Sequence, residues 1–224
     1  MASNRIFKSR TRISGILSPK LIIIASEGTN TERIYFEDMA SPHYYRNPKV
    51  HVEVLERTDT ASSPAHILSF LDSFKHKYRL SLDKDDELWL VIDRDGWTLR
   101  ELSSVASLCG QKCYLLALSN PCFEFWLLLH IKSYDDYSAA EQGSIAKNRH
   151  IGSTKRTFLG SELLKLLGSY NKDNPDTSKF LPFIDTAISR ARSLDTNPNH
   201  RWSNKVGTRV YRLAESIKNS QNNI

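Results

Sequence analysis

The chain has 224 residues, of which 40% are hydrophobic and 25% charged. That balance excludes a disordered, collagenous or membrane-spanning polypeptide and allows one domain of ordinary size with a real core. The net charge of +6 points toward polyanionic partners, nucleic acid above all, and three scattered cysteines (Cys109, Cys113, Cys122) exclude a disulfide framework.

The N-terminus is basic (Arg5, Lys8, Arg10, Arg12, Lys20) and has no acid before Glu27. It lacks an apolar stretch long enough for a signal peptide or anchor, so residues 1–18 are expected to be an arm and the protein cytoplasmic, with no membrane partner. Leu21–Ala25 is an isoleucine-rich apolar run, the signature of a strand buried on both faces. It runs into Ser26-Glu27-Gly28 and a helix over Thr31–Ala40, with Thr29 and Glu32 at capping-box spacing and Ser41-Pro42 closing it. "KVHVEVLE" (Lys49–Glu56) alternates as a half-polar strand nearer a sheet edge. Ser63-Pro64 opens a helix whose apolar positions are Ile67, Leu68, Leu71, Phe74 and Tyr78.

"ELWLVIDRD" (Glu87–Asp95) is the most apolar strand. A helix over Thr98–Leu108, stopped by Gly110, leads to a fourth strand, "CYLLALS" (Cys113–Ser119), and Asn120-Pro121 introduces a helix over Phe123–Ile131. Four strand–helix alternations predict an α/β fold, a parallel sheet of about four strands flanked by helices. Beyond His130 no strand pattern recurs, and helical segments are expected near 161–169, 180–194 and 203–218. The organisation expected is therefore an arm (1–18), an α/β core (19–131) and a helical extension packed on it (132–224). Cys109 and Cys113 read as buried thiols without zinc-ligand spacing.

Ligand sites of open parallel sheets lie at the carboxyl ends of strands. Here the first strand ends in Glu27 and the third in Asp93 and Asp95. Period-two alternation puts Asp93 and Asp95 on one side, where two carboxylates within about 7 Å repel unless a cation stands between them. Mg2+ (or Mn2+) suits such a group, because it takes one or two carboxylates and leaves positions for phosphate oxygens. Taken singly, Glu27-Gly28 and Asp95-Gly96 also read as ordinary turn dipeptides.

At these residues the chain resembles the Toprim fold of topoisomerases, primases and related nucleases, and more closely the RloB-like proteins of prokaryotic phage defence. The resemblance rests on "IIIASEGTNTERIYFEDM", "LWLVIDRD", "LSNPCFEFWLLLH", Tyr170 with Lys172, and Ala187–Ala191, and covers roughly residues 20–215. It implies Mg2+-dependent phosphodiester chemistry with Glu27 as metal ligand or general base and Asp93 and Asp95 as metal ligands. It also implies an effector nuclease encoded beside an ATPase partner. Trp97 stands where some relatives carry a third aspartate, and nothing marks a strand-joining tyrosine, so nuclease fits better than topoisomerase. "VIDRDGWTLRE" also imitates the phosphatase signature of the haloacid-dehalogenase type, but Trp97 displaces its threonine by one place and the first 86 residues would be unexplained.

Several groups would support the acids. Glu124 inside "CFEFWLLL" is either a further metal ligand or a first-turn acid favoured by the helix dipole. Lys172 would stabilise charge building on a scissile phosphate, or is simply solvated. Arg201, Lys205, Arg209 and Arg212 recur as a basic stripe beside the apolar residues Trp202, Val206, Val210, Leu213 and Ile217. With the loop residues Lys147, Arg149, Lys155 and Arg156, they would track a DNA or RNA backbone, or form ordinary solvated flanks. The alternative to a nuclease is a non-catalytic module that binds metal or nucleotide and regulates a partner ATPase.

Overall fold

A computed structural model describes residues 19–45, 47–56, 63–80, 82, 85–152 and 156–218. The predicted arm and Lys155 lie outside the described residues. The α/β alternation is present: β1 (Lys20–Ser26), α1 (Thr31–Met39), β2 (Val50–Val54), α2 (Pro64–Lys77), β3 (Glu87–Asp93), α3 (Leu99–Lys112), β4 (Leu115–Asn120) and α4 (Phe123–Ile131). The sheet has five strands in the order β2-β1-β3-β4-β5, and all neighbours are parallel except β4 with β5 (Gly207–Thr208). The half-polar β2 is an edge strand, as its alternation predicts. The fifth strand was not expected; two residues carry no periodicity to read.

The buried strands divide their side chains between two cores. Ile22, Ile24, Trp89 and Val91 face α1 and α4, whereas Ile23, Ala25, Leu88, Leu90 and Ile92 face α2 and α3. The extension adds α5 (Ala139–Lys147), α6 (Phe158–Leu167), α7 (Ile184–Leu194) and α8 (Val210–Lys218). Leu159, Leu163, Ala187 and Leu213 join the same core as Ile22, so the extension covers the α1/α4 face. This explains α4, "FEFWLLLHI", which is apolar nearly all round because sheet, α6 and α7 surround it. His130 is buried there, bonded to the Tyr35 hydroxyl (2.9 Å), and burial pushes its imidazole down to about 3, so it stays neutral.

Local expectations fail where side chains found other partners. The Thr29–Glu32 capping box does not form: Asn30 is the N-cap, and Glu32 turns back to Gly28. Gly110 lies within α3, which ends at Cys113 with a left-handed φ of 57°, leaving that thiol exposed while Cys109 is buried. α5 occupies a stretch that reads as loop, capped by Ser138 and Glu141. α8 begins at Val210 rather than near residue 203, so the basic and apolar stripes share no single helix, and Trp202 packs on the opposite side of the sheet from Val206.

Candidate metal centre

The carboxyl ends of β1, β3 and β4 meet at one edge. β1 and β3 are neighbours, with Ser26 paired to Val91, so Glu27 emerges beside the end of β3. Its amide donates to Val91 O (2.9 Å), and its Oε2 accepts from the Asp93 amide (3.1 Å). The indole Nε1 of Trp97 donates to both oxygens (3.1 and 3.2 Å). Trp97 thus supplies a hydrogen-bond donor to Glu27. Both Glu27 oxygens point at protein donors, and its negative charge lies close to Asp93.

Gly28 leaves room for the Glu32 carboxyl: a Cβ there would overlap Glu32 Oε2 and displace it, and the Gly28 amide donates to Glu32 Oε1 (3.2 Å). The Glu-Gly turn therefore seats a second glutamate. Glu32 is buried, and desolvation, reinforced by Glu124, raises its carboxyl to about 7. Sequence reading assigned Glu32 only to a cap. The missed signal is its spacing: Glu32, Tyr35, Phe36 and Met39 share one helical face, an acid on an apolar stripe.

Asp93 ends β3. Its Oδ1 is wholly buried without a hydrogen-bond partner. Burial holds its carboxyl well above the usual carboxylate range, and Glu32, Glu124, Glu27 and Asp95 push the same way. Asp95 does not continue the strand. The Arg94 and Asp95 amides turn onto Pro121 O (3.0 and 3.1 Å), which leaves Asp95 exposed at the rim, its carboxyl raised by partial desolvation and by Glu124. The side-by-side Asp93/Asp95 pair is therefore replaced by one inner and one outer acid.

Cys122 and Glu124 enter from the start of α4, both buried. Lys172 Nζ lies 2.8 Å from Glu124 Oε1. Partial burial works against the lysine's charge, but the Glu124 carboxylate outweighs it and holds the ammonium above its ordinary range. The Lys172 loop is tied to α1: Thr31 Oγ1 donates to Lys172 O (2.5 Å), and Thr177 Oγ1 to Asp38 (2.6 Å). The Tyr170 hydroxyl is buried without a partner, and its raised pKa comes from burial, then from Glu124, Cys122, Glu32 and Asp93. The Cys122 thiol is likewise raised by burial and by Glu124 and Asp93.

Among the described residues, Asp93, Cys122 and Glu124 form the group suited to a metal ion, their ligand atoms all within 4.8 Å of one another. Two buried acids, Glu32 and Glu124, beside the half-buried Asp93 with its orphaned carboxylate oxygen, fit a divalent cation. Glu27, engaged with the Asp93 amide and the Trp97 indole, and the exposed Asp95 are not among these three residues.

The predicted phosphate-tracking residues scatter. Arg209 is buried, its guanidinium on Asp195 (3.1 and 3.0 Å), Asn197 O and His200 O; Arg212 also reaches Asp195 (3.0 Å). Their role is to anchor α8 to the end of α7, which corrects the expectation of a nucleic-acid contact at Arg209. Arg156, Arg201 and Lys205 are exposed, Arg201 donating to Ser103 O (3.2 Å). No helix among the described residues is long and apolar enough to cross a membrane.

The family model described as RloB-like protein matches residues 22–217, a span that contains every residue of this centre. Comparisons with curated proteins and with solved structures give no match.

Proposed function

This chain belongs to the RloB-like family, and on that premise we propose that it is a metal-dependent nuclease cleaving phosphodiesters of DNA or RNA. The observation that carries the reading is Asp93: a strand-end carboxylate with a buried, unpartnered oxygen, enclosed by Glu32 and Glu124. A bound divalent cation, Mg2+ or Mn2+, would neutralise these acids and polarise a phosphoryl oxygen. Asp93 and Glu124 would hold it.

The chain's own groups supply the rest. Glu27 fixes the Asp93 main chain and so the direction of its carboxylate. Lys172, its ammonium on Glu124 and its side chain largely exposed, would stabilise charge on a non-bridging phosphate oxygen. The Tyr170 hydroxyl has a donor to spend on the same phosphate. Glu32 holds a proton in the neutral range, as a proton-transfer group should. Asp95, at the rim, lies where an incoming strand would pass. Lys147, Arg149, Arg156, Arg201 and Lys205 are exposed cations on which a nucleic-acid backbone would be met.

An antiviral effector role beside an ATPase partner, in the cytoplasm, is proposed from the family resemblance of the sequence. The test is incubation of the protein with Mg2+ or Mn2+ and mixed DNA and RNA, beside Asp93→Asn and Glu124→Gln. Cleavage by the parent chain and its loss in both variants supports the nuclease. Metal binding without cleavage, with the neighbouring ATPase present, would support the regulatory module instead.

A further inference from the structure

The mechanism above leaves Cys122 without a role, yet its sulfur belongs to the same cluster as the Asp93 and Glu124 oxygens, every ligand atom within 4.8 Å of the others. A transition-metal dication holds thiolate sulfur at about 2.3 Å and carboxylate oxygen at about 2.0–2.2 Å. Sulfur and oxygen on one ion are therefore separated by about 3.5 Å when adjacent and by about 4.4 Å when opposite. The observed spacing, every pair within 4.8 Å, lies close to that range.

A second observation concerns the sulfur itself. Asn148 is buried and donates its Nδ2 to Cys122 Sγ (3.1 Å). Its Oδ1 accepts from the Leu159 amide (3.0 Å), which fixes the amide so that NH2, and not the carbonyl, meets sulfur. An anchored N–H aimed at a ligand atom is how outer groups orient and tune a metal-bound thiolate. A third observation is the wholly buried, partnerless Asp93 Oδ1 in the same group.

We propose that Cys122 is a metal ligand, and that Asp93, Glu124 and Cys122 form a mixed oxygen–sulfur site favouring a transition-metal dication of the Mn2+ to Zn2+ series over Mg2+. Magnesium keeps oxygen ligands and dehydrates reluctantly, whereas thiolate raises affinity for the softer ions. On entry of the ion the S–H bond of Cys122 breaks, a sulfur–metal bond forms and one proton leaves to solvent, with no change of oxidation state. This rests on the reading of the cluster as the metal centre.

The experiment titrates Co2+ into the metal-free full-length chain carrying Cys113→Ser, which removes the exposed thiol. A thiolate-to-cobalt charge-transfer band in the near ultraviolet is expected. In the same background Cys122→Ser should abolish the band and weaken Co2+ binding at least about tenfold, with Mg2+ affinity by calorimetry unchanged. Asn148→Ala should keep the band but shift it and weaken binding. Co2+ binding without the band, or equal Co2+ affinity in Cys122→Ser, overturns the cysteine assignment and leaves an all-oxygen site standing. Failure of the parent chain to bind any divalent ion overturns both readings. If Cys122→Ser does not fold, as judged by circular dichroism, the band in the Cys113→Ser protein decides alone.

Discussion

The Glu27 carboxylate accepts a hydrogen bond from the backbone N–H of Asp93, Oε2 to N 3.1 Å. Two acids on neighbouring strands thus meet through main chain, not carboxylate to carboxylate. Trp97 closes the arrangement from the other side, its indole on both Glu27 oxygens. Glu27 becomes the residue that aims Asp93, and the acids around Asp93 come from helices: Glu32 from α1 and Glu124 from α4.

Glu27→Gln keeps one acceptor oxygen but turns an NH2 toward either the Asp93 amide or the indole. Activity or metal affinity should fall about 10- to 100-fold, as for other residues that orient a metal ligand. Trp97→Phe, which removes one donor and keeps the ring, should cost less. Calorimetric metal titration beside the cleavage assay checks both, with circular dichroism expected to be unchanged.

Removing Lys172 should expose the cost of the acids. Glu124 is buried, and its salt-bridge partner is the ammonium 2.8 Å away. Breaking a buried pair costs about 3–5 kcal/mol. Because the lysine side chain is 63% exposed, water takes over part of its work, and about 1–2 kcal/mol is expected for Lys172→Met. A divalent cation should restore it, so the rise in Tm on adding Mn2+ should be larger in the variant than in the parent. An equal rise would mean that ammonium and metal do not compete for Glu124.

Stability without metal should fall as the pH rises. Glu32 gives up its proton near 4.5 when unfolded and near 7 when folded. Between these values the folded chain binds more protons than the unfolded one. The protonated carboxyl's contribution is complete below about 4.5 and is lost as pH climbs through 7. Asp93 shifts in the same direction. Thermal melts of the parent and Glu32→Gln from pH 5 to 8 should therefore diverge, the variant gaining on the order of 2–3 kcal/mol relative to the parent by pH 8. Metal should stabilise the parent more at pH 8 than at pH 5, since cation and protons contend for the same oxygens. Gly28→Ala should resemble loss of Glu32, because the new methyl group takes its seat.

Arg209 and Asp195 should behave as a fold anchor. Both side chains are 4% exposed and paired at 3.0 Å. Arg209→Met should lower unfolding free energy by about 3–5 kcal/mol in urea, since it leaves Asp195 buried with Arg212 and Tyr211 alone. Arg201→Ala and Lys205→Ala, exposed, should leave stability within about 0.5 kcal/mol. They should instead flatten the salt dependence of nucleic-acid binding, by about one unit of slope per lost contact.

Much of the fold was legible along the chain because strands buried on both faces, such as Leu21–Ala25 and Leu88–Ile92, must be continuously apolar, and the helices between them carry their own period. That Glu27 and Asp93 are neighbours was left open by the sequence and came from the strand order, which sets β1 beside β3. The small β5, the α5 helix and the late start of α8 were not legible. A two-residue strand has no pattern, and a helix held by one capping box and a single buried Ile145 shows little apolar periodicity. The basic run from Arg201 to Arg212 misled for the same reason: spacing at three and four describes a helix only if the backbone is one.

What the amino-acid order determined by itself is the parallel α/β core and the presence of carboxylates at its strand ends, since both follow from local rules of period and burial. Which acids share one space was decided in three dimensions. Glu32, Cys122 and Glu124 reach Asp93 because the α1/α4 face is roofed by the extension, which excludes water and brings Tyr170 and Lys172 over the cluster. Removing that water raises the pKa of Asp93 and Glu32, leaves one oxygen without a partner, and makes the edge of the sheet a place for a cation.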